Sequence, residues 1–223
     1  MHTHTHAHTL RLRQHRFSPR HGVSALCAAL CEDNSTLTDL DLSSSKWVKP
    51  ENRMDETCAM LLAECLKTNK ALRVLNLDCN ALGEVGAIAL SKVMSNTGDN
   101  SCRLTKLGLQ YNQVKDGGAG AISEMLKTNT ALKELRLSNN KISTKGALVI
   151  AEGLAENNTL TRLEVARNFI ALAGKDALFD ITGNRLAKAE EARAEEAKKE
   201  EGKSAAVALA PETVAALTLT VVF

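Results

Sequence analysis

The amino-acid sequence predicts an α/β solenoid of about five repeats, a horseshoe segment with parallel strands on its concave face and helices on its convex face. One observation is a Leu-x-x-Leu-x-Leu block, closed by Val in its last copy, that begins at Leu37, Leu72, Leu104, Leu132 and Leu160. A second is an Asn that precedes a Gly by six residues in the four later units, as in Asn140 and Gly146. Chance would not keep this offset constant while the intervals between blocks vary from 28 to 35 residues.

Each block has the period of a strand, and the run after it has the period of a helix. Leucines two residues apart, such as Leu135 and Leu137, lie on one face of an extended chain. Ile150, Ala151 and Leu154 recur at the three- and four-residue spacing of an amphipathic helix. One strand and one helix cannot bury this apolar surface alone, so units must stack, and at least three are needed.

These blocks and their Asn–Gly frame resemble leucine-rich repeat proteins of the ribonuclease-inhibitor type, whose repeats run to about 28 residues. The resemblance covers approximately residues 22–185. It implies a solenoid in which each repeat contributes one strand and one helix. It implies very little about a specific activity.

Two positions in the repeat have a predicted structural role. The Asn after each strand is expected to turn its side-chain amide onto backbone groups of the bend. The Gly six residues later indicates close helix packing or backbone freedom. In the first unit Ser45 replaces the Asn, Cys58 replaces the Gly, and extra residues lie between them. We expect this unit to be the least regular.

Residues 1–20 differ in composition from the repeat domain, which is expected to occupy residues 21–186. All six histidines lie within the first 21 residues, and no acidic residue precedes Glu32. These features favour a disordered His- and Arg-rich tail; an organelle transit peptide and a metal-binding histidine tract are the alternatives. A helix over residues 22–34 should then lead into the repeats, with Leu26, Ala29 and Leu30 buried.

The composition changes twice after the repeats. Gly174 to Leu186 is expected to form a last helix that buries Ala177, Leu178 and Ile181. Residues 187–203 are almost entirely Ala, Glu, Lys and Arg, which predicts a charged, solvated helix. Residues 204–223 are largely apolar and are expected to be poorly ordered. The strand character of their last residues fits an aggregation-prone end or a docking peptide.

Composition restricts the classes of partner. A net charge of +2 and an aromatic content of 3% argue against nucleic acid, because neither a basic surface nor a base-stacking platform is indicated. No apolar run approaches the roughly 18 residues of a membrane span. The six cysteines lack CxxC spacing, which favours buried free thiols in the cytoplasm. Organelle targeting through the Arg-rich, acid-free N-terminus is the alternative. No cofactor or metal site is predicted in the repeats.

Side chains on the open face of the strands are the predicted binding site for a protein partner. They occupy the third, fifth, seventh and eighth positions of each block. The candidate contact residues are Asp39, Asp41, Asn76, Asp78, Lys106, Gln110, Tyr111, Glu134, Arg136, Asn139, Arg162, Glu164 and Arg167. Acids dominate the first two units and bases the last, so the face should orient a partner of complementary charge. Tyr111 and Arg136 have the residue types that are enriched in binding hot spots.

The predicted function is non-enzymatic protein–protein interaction through this concave face. The repeats contain no histidine, so histidine-based triads and general bases are absent from them. One alternative is a GTPase-activating protein similar to the Ran-activating leucine-rich repeat proteins, with a small GTPase as partner. Another is the sensing end of a nucleotide-binding leucine-rich repeat immune receptor. A cytoskeletal role like that of tropomodulin-type repeats would require an amphipathic actin-binding segment. The residues before the repeats show none.

Overall fold

A computed structural model of the chain describes residues 8–13, 19–32, 36–44, 54–95, 102–201 and 219–223. Within these ranges, seven parallel strands form one sheet and pair in chain order. The strands are β1 (Thr9–Arg11), β2 (Asp39–Asp41), β3 (Val74–Asn76), β4 (Lys106–Gly108), β5 (Glu134–Arg136), β6 (Arg162–Glu164) and β7 (Thr220–Val222). The helices are α1 (Pro19–Glu32), α2 (Glu56–Thr68), α3 (Gly83–Met94), α4 (Lys115–Thr128), α5 (Thr144–Glu156) and α6 (Leu172–Glu201). The predicted α/β solenoid is confirmed, with two more strands than expected.

One row of leucines sets the register of the sheet. The fourth position of each block aligns Leu40, Leu75, Leu107, Leu135 and Leu163 across neighbouring strands. All five are at most 3% exposed. A slip of one residue would turn the row onto the open face, so burial of these side chains fixes the register.

The Gly of the repeat is required for space. A Cβ added at Gly146 would lie 2.8 Å from the Ile142 side chain and 3.2 Å from the Cβ of Ala119 on the preceding helix. At Gly118 it would lie 3.1 Å from the Cβ of Ala87. Close approach of consecutive helices, and not a left-handed backbone, therefore explains these glycines.

The predicted role of the Asn after each strand is confirmed. Asn140 Nδ2 donates a hydrogen bond to the Leu109 carbonyl at 2.7 Å, and its Oδ1 accepts from the backbone N–H of Asn112 at 2.9 Å and of Val114 at 3.3 Å. Asn168 repeats the arrangement one unit later, with its Oδ1 accepting from the Asn140 N–H at 2.8 Å. These side chains satisfy backbone groups where the chain leaves the sheet.

A second set of amides joins the ends of the helices. Asn69, Asn129 and Asn157 follow α2, α4 and α5, and each donates to a carbonyl of the previous helix at 2.6–2.8 Å. Arg185 takes this place 28 residues after Asn157, and its guanidinium donates to the Leu154 carbonyl at 2.9 Å. Burial lowers the pKa of Arg185. The long Arg side chain reaches this carbonyl from inside α6, which continues to Glu201 instead of ending here.

The N-terminal segment predicted to be disordered contains the edge strand β1, which corrects that expectation for residues 8–13. The Leu12 N–H donates to the Asp41 carbonyl at 2.8 Å, and the Thr38 N–H donates to the His8 carbonyl at 2.9 Å. Leu10 and Leu12 pack against the core. These two leucines occupy inward positions, one within β1 and one just after it. The edge of β2 offers backbone groups that β1 pairs with. Residues 1–7 of the proposed histidine tract lie outside the described residues.

Helix α1 presents a slightly different face from the predicted one. Val23, Cys27 and Leu30 are buried, spaced as one helical face. Leu26 is only partly buried and Ala29 is exposed. The buried face of α1 is therefore centred on Val23, Cys27 and Leu30, and Ala29 lies outside it.

The first unit departs from the repeat as expected at the positions that are described. Cys58 is fully buried where the other units have Gly. Asp55 caps α2 by accepting a hydrogen bond from the Cys58 N–H at 3.1 Å. Ser45 and the inserted residues up to position 53 lie outside the described residues.

The C-terminal part differs from the prediction in two ways. The last repeat helix and the charged segment are one helix, α6, in which Leu178 is buried and Ala177 and Ile181 are partly buried. The tail, expected to be poorly ordered, contains β7, which pairs in parallel with β6. Leu219, just before β7, is 3% exposed. Apolar residues at alternating positions therefore place residues 219–223 at the sheet edge.

Candidate functional site: the concave strand face

The third and fifth positions of each repeat block are the first and last residues of its strand, and they face away from the buried leucine row. Across the sheet, the third position aligns Asp39, Val74, Lys106, Glu134 and Arg162. A cavity of about 210 Å³ opens on this face between β1 and β5. Its charged and polar lining consists of Thr9, Arg11, Arg13, Asp39, Asp41, Asn76, Lys106, Glu134 and Arg136.

The centre of the face is a cluster in which Arg136 on β5 reaches across β4. Its Nη2 donates to Asn76 Oδ1 at 3.2 Å and to the carboxylate of Asp78. The crossing is possible because Gly108 lies between them. A Cβ at Gly108 would lie 2.7 Å from both Asn76 Oδ1 and Asp78 Oδ1, and 2.8 Å from Arg136 Nη2. We call Asn76, Asp78, Gly108 and Arg136 the Arg136 cluster.

Asp78 is the acidic member of the Arg136 cluster. Its side chain is 14% exposed, and its Oδ1 also accepts from the Gln110 N–H at 2.9 Å. Burial raises the pKa of Asp78, while Arg136 and the Gln110 N–H oppose that rise. Leaving a buried carboxylate unpaired is costly. A ligand that draws Arg136 away without supplying another hydrogen-bond donor would leave Asp78 with the Gln110 N–H.

A second polar connection runs in the opposite direction. Gln110 Nε2, just beyond β4, donates to Glu164 Oε2 on β6 at 3.0 Å. Arg162 Nε donates to the other oxygen of Glu164 at 2.9 Å. The Arg162 side chain is 47% exposed, whereas that of Glu164 is 17% exposed. Glu164 is thus anchored, and Arg162 presents charge to solvent.

Lys106 and Glu134 form the most open ion pair on this face. Their charged atoms are 3.3 Å apart, and the side chains are 56% and 25% exposed. Exposed pairs of this kind contribute only about 0–1 kcal/mol. Both groups can therefore change partner at little cost.

The acidic end of the face is neutralised by the strand that the sequence did not predict. Arg13 Nε donates to Asp41 Oδ2 at 2.6 Å, and the Ser43 N–H donates to Asp41 Oδ1 at 3.0 Å. Burial acts to raise the pKa of Asp41, but the hydrogen bonds from Ser43 and Arg13 outweigh it, and the pKa is lowered. Asp39 accepts from the Thr38 hydroxyl at 2.5 Å. The expected gradient from acidic to basic is therefore wrong, because basic residues stand at both ends.

The eighth position of the block does not lie on the strands. Tyr111, Asn139 and Arg167 occupy the following turns with left-handed φ values of 56°, 60° and 55°. A left-handed residue breaks the alternation that was used to place them on the open face. They lie at the carboxyl-end border of the face.

Three residues of the site were missed or undervalued by the sequence reasoning. Arg11 and Arg13 belong to β1, whose signal is the pair Leu10-x-Leu12, aligned with Leu40-x-Leu42. Gly108 replaces a side chain in the middle of the face, and a lone Gly in a strand indicates close approach of other groups. The groups that approach Gly108 come from β3 and β5, two strands apart, so the sequence around Gly108 does not identify them.

Three further features concern metal binding, membrane crossing and the cysteines. In the described part of the chain, no group of three or more His, Cys, Asp or Glu residues could hold a metal ion. No helix there has the length and apolarity that crossing a bilayer requires. None of the six cysteines, all of which lie in the described ranges, forms a disulfide bond.

Stacked strand–helix units, an aligned leucine row and two sets of ladder amides define a repeat solenoid. A model of the Leucine Rich repeat family matches residues 68–91, 100–123 and 128–151. The chain is a leucine-rich repeat protein. Its assignment to the ribonuclease-inhibitor type stays a prediction.

Similarity to individual proteins agrees with this family. The chain is 37% identical over 106 residues to leucine-rich repeat-containing protein 45 of Gallus gallus. The match covers 48% of this chain but only 14% of that relative. A solved structure of leiomodin-1 actin-binding site 2 is 22% identical, covers 86% of this chain and 88% of its own, and superposes with a TM-score of 0.45. A score this low gives no information on what the present chain binds.

The fold indicates a class of function. Repeat solenoids present extended concave surfaces that are typical of protein-interaction modules, and this chain has the repeats and the surface of such a module. No comparison supports the small GTPase expected as an alternative partner. The immune-receptor alternative stays a prediction.

Proposed function

We propose that the chain binds a protein partner on its concave face and acts by binding alone, without catalysing a reaction. The observation that carries this proposal is the Arg136 cluster, a fixed polar centre beside a cavity of about 210 Å³. Arg is enriched among residues that dominate binding energy, especially where it is held in place before the partner arrives.

The charges around this centre indicate the chemistry of the partner. Lys106 on β4 and Arg162 on β6 present exposed cations beside the Arg136 cluster. The acids that pair with them are more buried, so acidic side chains of a partner can approach these two bases from solvent. We therefore propose that the partner contributes carboxylates to this region, and that added salt weakens binding.

The dimensions of the sheet indicate which other residues take part. Seven strands about 4.8 Å apart span about 29 Å, and three residues per strand rise about 10 Å, which gives a strip of about 290 Å². A stable interface covers about 800 Å² on each partner. The partner must therefore extend past the strands, and Tyr111, Asn139 and Arg167 lie on one border of the face, where they could contact it.

The test compares two double charge reversals that differ only in location. Lys106→Glu with Arg162→Glu changes the concave face, and Lys92→Glu with Lys145→Glu makes the same change in charge on exposed helix positions. Each chain is immobilised and used to capture partners from cell extract, with quantification by mass spectrometry. We expect one set of proteins to be lost only with the concave variant.

Circular dichroism of both variants controls for folding. Equal retention of every captured protein by the two folded variants would show that the concave face is not the binding surface. Loss with both variants would show that net charge, and not this face, controls capture.

The compartment is part of the same proposal. Six cysteines that form no disulfide bond, four of them buried, suit a reducing environment such as the cytoplasm. Fluorescence microscopy of the full chain carrying a C-terminal reporter tests this directly, and a punctate organellar signal would contradict it.

A further inference from the structure

The C-terminal strand imitates the beginning of another repeat. In register, Val221 stands beside Leu163, so Val221 and Phe223 take the fourth and sixth positions of a block. Both pack against the core, and Leu219 is 3% exposed. Thr220, between the inward residues, is exposed. Residues 219–223 therefore present an alternating apolar pattern to the end of the solenoid.

The backbone pairing of this strand is the same as that inside the sheet. The Thr220 N–H donates to the Thr161 carbonyl at 2.8 Å, and the Val165 N–H donates to the Val222 carbonyl at 2.9 Å. Such hydrogen bonds do not depend on which side chains the added strand carries. Any extended segment with the same apolar spacing can make them.

An aromatic contact adds specificity at the sixth position. The ring of Phe223 lies against that of Phe179 on α6, with centroids 5.0 Å apart and planes at 43°. The Lys175 ammonium is 5.8 Å from the centroid of the Phe223 ring. A large aromatic residue two positions after an aliphatic one therefore fits this place best.

The strand leaves much apolar surface uncovered at this end. Phe169, Leu172 and Phe179 are 71%, 72% and 51% exposed. They are three of the six large hydrophobic side chains that are exposed among the described residues. Clustering in the last unit distinguishes them from scattered surface residues. A longer strand-bearing segment could cover what residues 219–223 do not.

We propose that the β6 edge is a second binding site, which accepts an extended peptide of a partner protein as a parallel strand. The partner segment carries aliphatic residues at two alternating positions and an aromatic residue at the next, as in Leu-x-Val-x-Phe. Residues 219–223 occupy the same site within the chain and compete with that segment. This site is separate from the concave face.

The competition can be measured with the chain's own sequence as the probe. The probe is a fluorescein-labelled peptide, Gly-Gly-Leu-Thr-Val-Val-Phe, and the full-length double variant Val221→Asp with Phe223→Asp is the receptor. A tethered competitor acts at an effective concentration on the order of 1 mM, so a peptide with a Kd of about 0.1 mM binds about tenfold more weakly to the unaltered chain. We expect this difference in fluorescence anisotropy titrations. A control probe in which the residues equivalent to Val221 and Phe223 are replaced by Asp should not bind.

Two further variants test the aromatic contact and the choice of sheet edge. Phe179→Ala in the double variant removes the aromatic contact and should weaken probe binding several-fold. Leu10→Asp with Leu12→Asp releases β1 at the other end, where the described residues include no equivalent of Phe179, and should not create probe binding. Phe223→Ala is the milder receptor if the double variant fails to fold.

The outcomes decide the proposal as follows. Absence of probe binding to the folded double variant would overturn it, and so would a folded Phe223→Ala variant that binds the probe no better than the unaltered chain. So would equal binding by the Asp-substituted probe. A concentration-dependent dimer of the unaltered chain that the double variant abolishes would assign the strand to a second copy and refute a different partner.

Discussion

Gly153 on α5 is the position where one methyl group should cost the most. A Cβ there would lie 2.5 Å from the Ser123 carbonyl oxygen and 2.8 Å from the Ser123 Cα, both backbone atoms of α4. It would also lie 2.6 Å from Ser123 Oγ, which donates to the Val149 carbonyl at 2.6 Å. Ordinary van der Waals contact begins near 3.4 Å. The two helices must therefore separate by roughly 1 Å to accept Ala.

The expected magnitude combines three effects. Overpacking of a close contact costs about 1–3 kcal/mol. Loss of the buried hydrogen bond from Ser123 adds about 1 kcal/mol. The better helix propensity of Ala returns about 1 kcal/mol. Gly153→Ala should therefore lower the free energy of unfolding by about 1–3 kcal/mol.

Gly120→Ala is the matched control. Gly120 lies within α4, and a Cβ there would meet no atom within 4 Å, so only the propensity term applies and stability should rise by about 0.5–1 kcal/mol. Urea unfolding followed by circular dichroism measures both variants. The free energy of unfolding should fall for Gly153→Ala and rise for Gly120→Ala. A change of 1 kcal/mol shifts the Tm of a chain of this size by about 2–4 °C, so thermal unfolding should show the same opposite signs. Equal shifts would refute the close contact between α4 and α5.

Three other predictions test the core, the ladder and the acidic end. Leu135→Ala removes a fully buried side chain and should cost about 2–5 kcal/mol, seen as one lowered transition for the stacked units. Asn140→Ala leaves buried backbone groups unpaired and should cost about 1–3 kcal/mol in urea unfolding, whereas exposed Lys141→Ala should change little. The lowered pKa of Asp41 means that its contribution is present above the unfolded pKa and lost as pH falls through the folded one. Asp41→Asn should therefore reduce the loss of stability as pH falls below the unfolded pKa of aspartate, about 3.9; an unchanged pH dependence would contradict this.

Residues that contact their own repeat, or the next one, were predictable. Leu135 is buried because the two-residue alternation and the need to stack leave it no other face. Asn140 is held by backbone groups whose positions the repeat itself sets. For both residues a local pattern and the stacked neighbour give the same answer, and their surroundings recur in every unit.

Contacts that skip a repeat were not predictable. Nothing in the spacing of Arg136 and Asp78 says that they meet across Gly108, because the contact depends on the missing side chain between them. Tyr111 was placed on the open face by alternation, but a left-handed turn residue does not follow it. The charge pattern changed for a similar reason, since Arg13 comes from a strand outside the five recognised blocks.

The sequence by itself determined the repeat, the register of the leucine row and the class of protein, because these follow from periods that every unit shares. Only the tertiary structure decided what happens at the two ends. Leu10-x-Leu12 and Val221-x-Phe223 are too short to be recognised as units alone. Each becomes a strand because the sheet edge beside it offers unpaired backbone groups and a place for two apolar side chains.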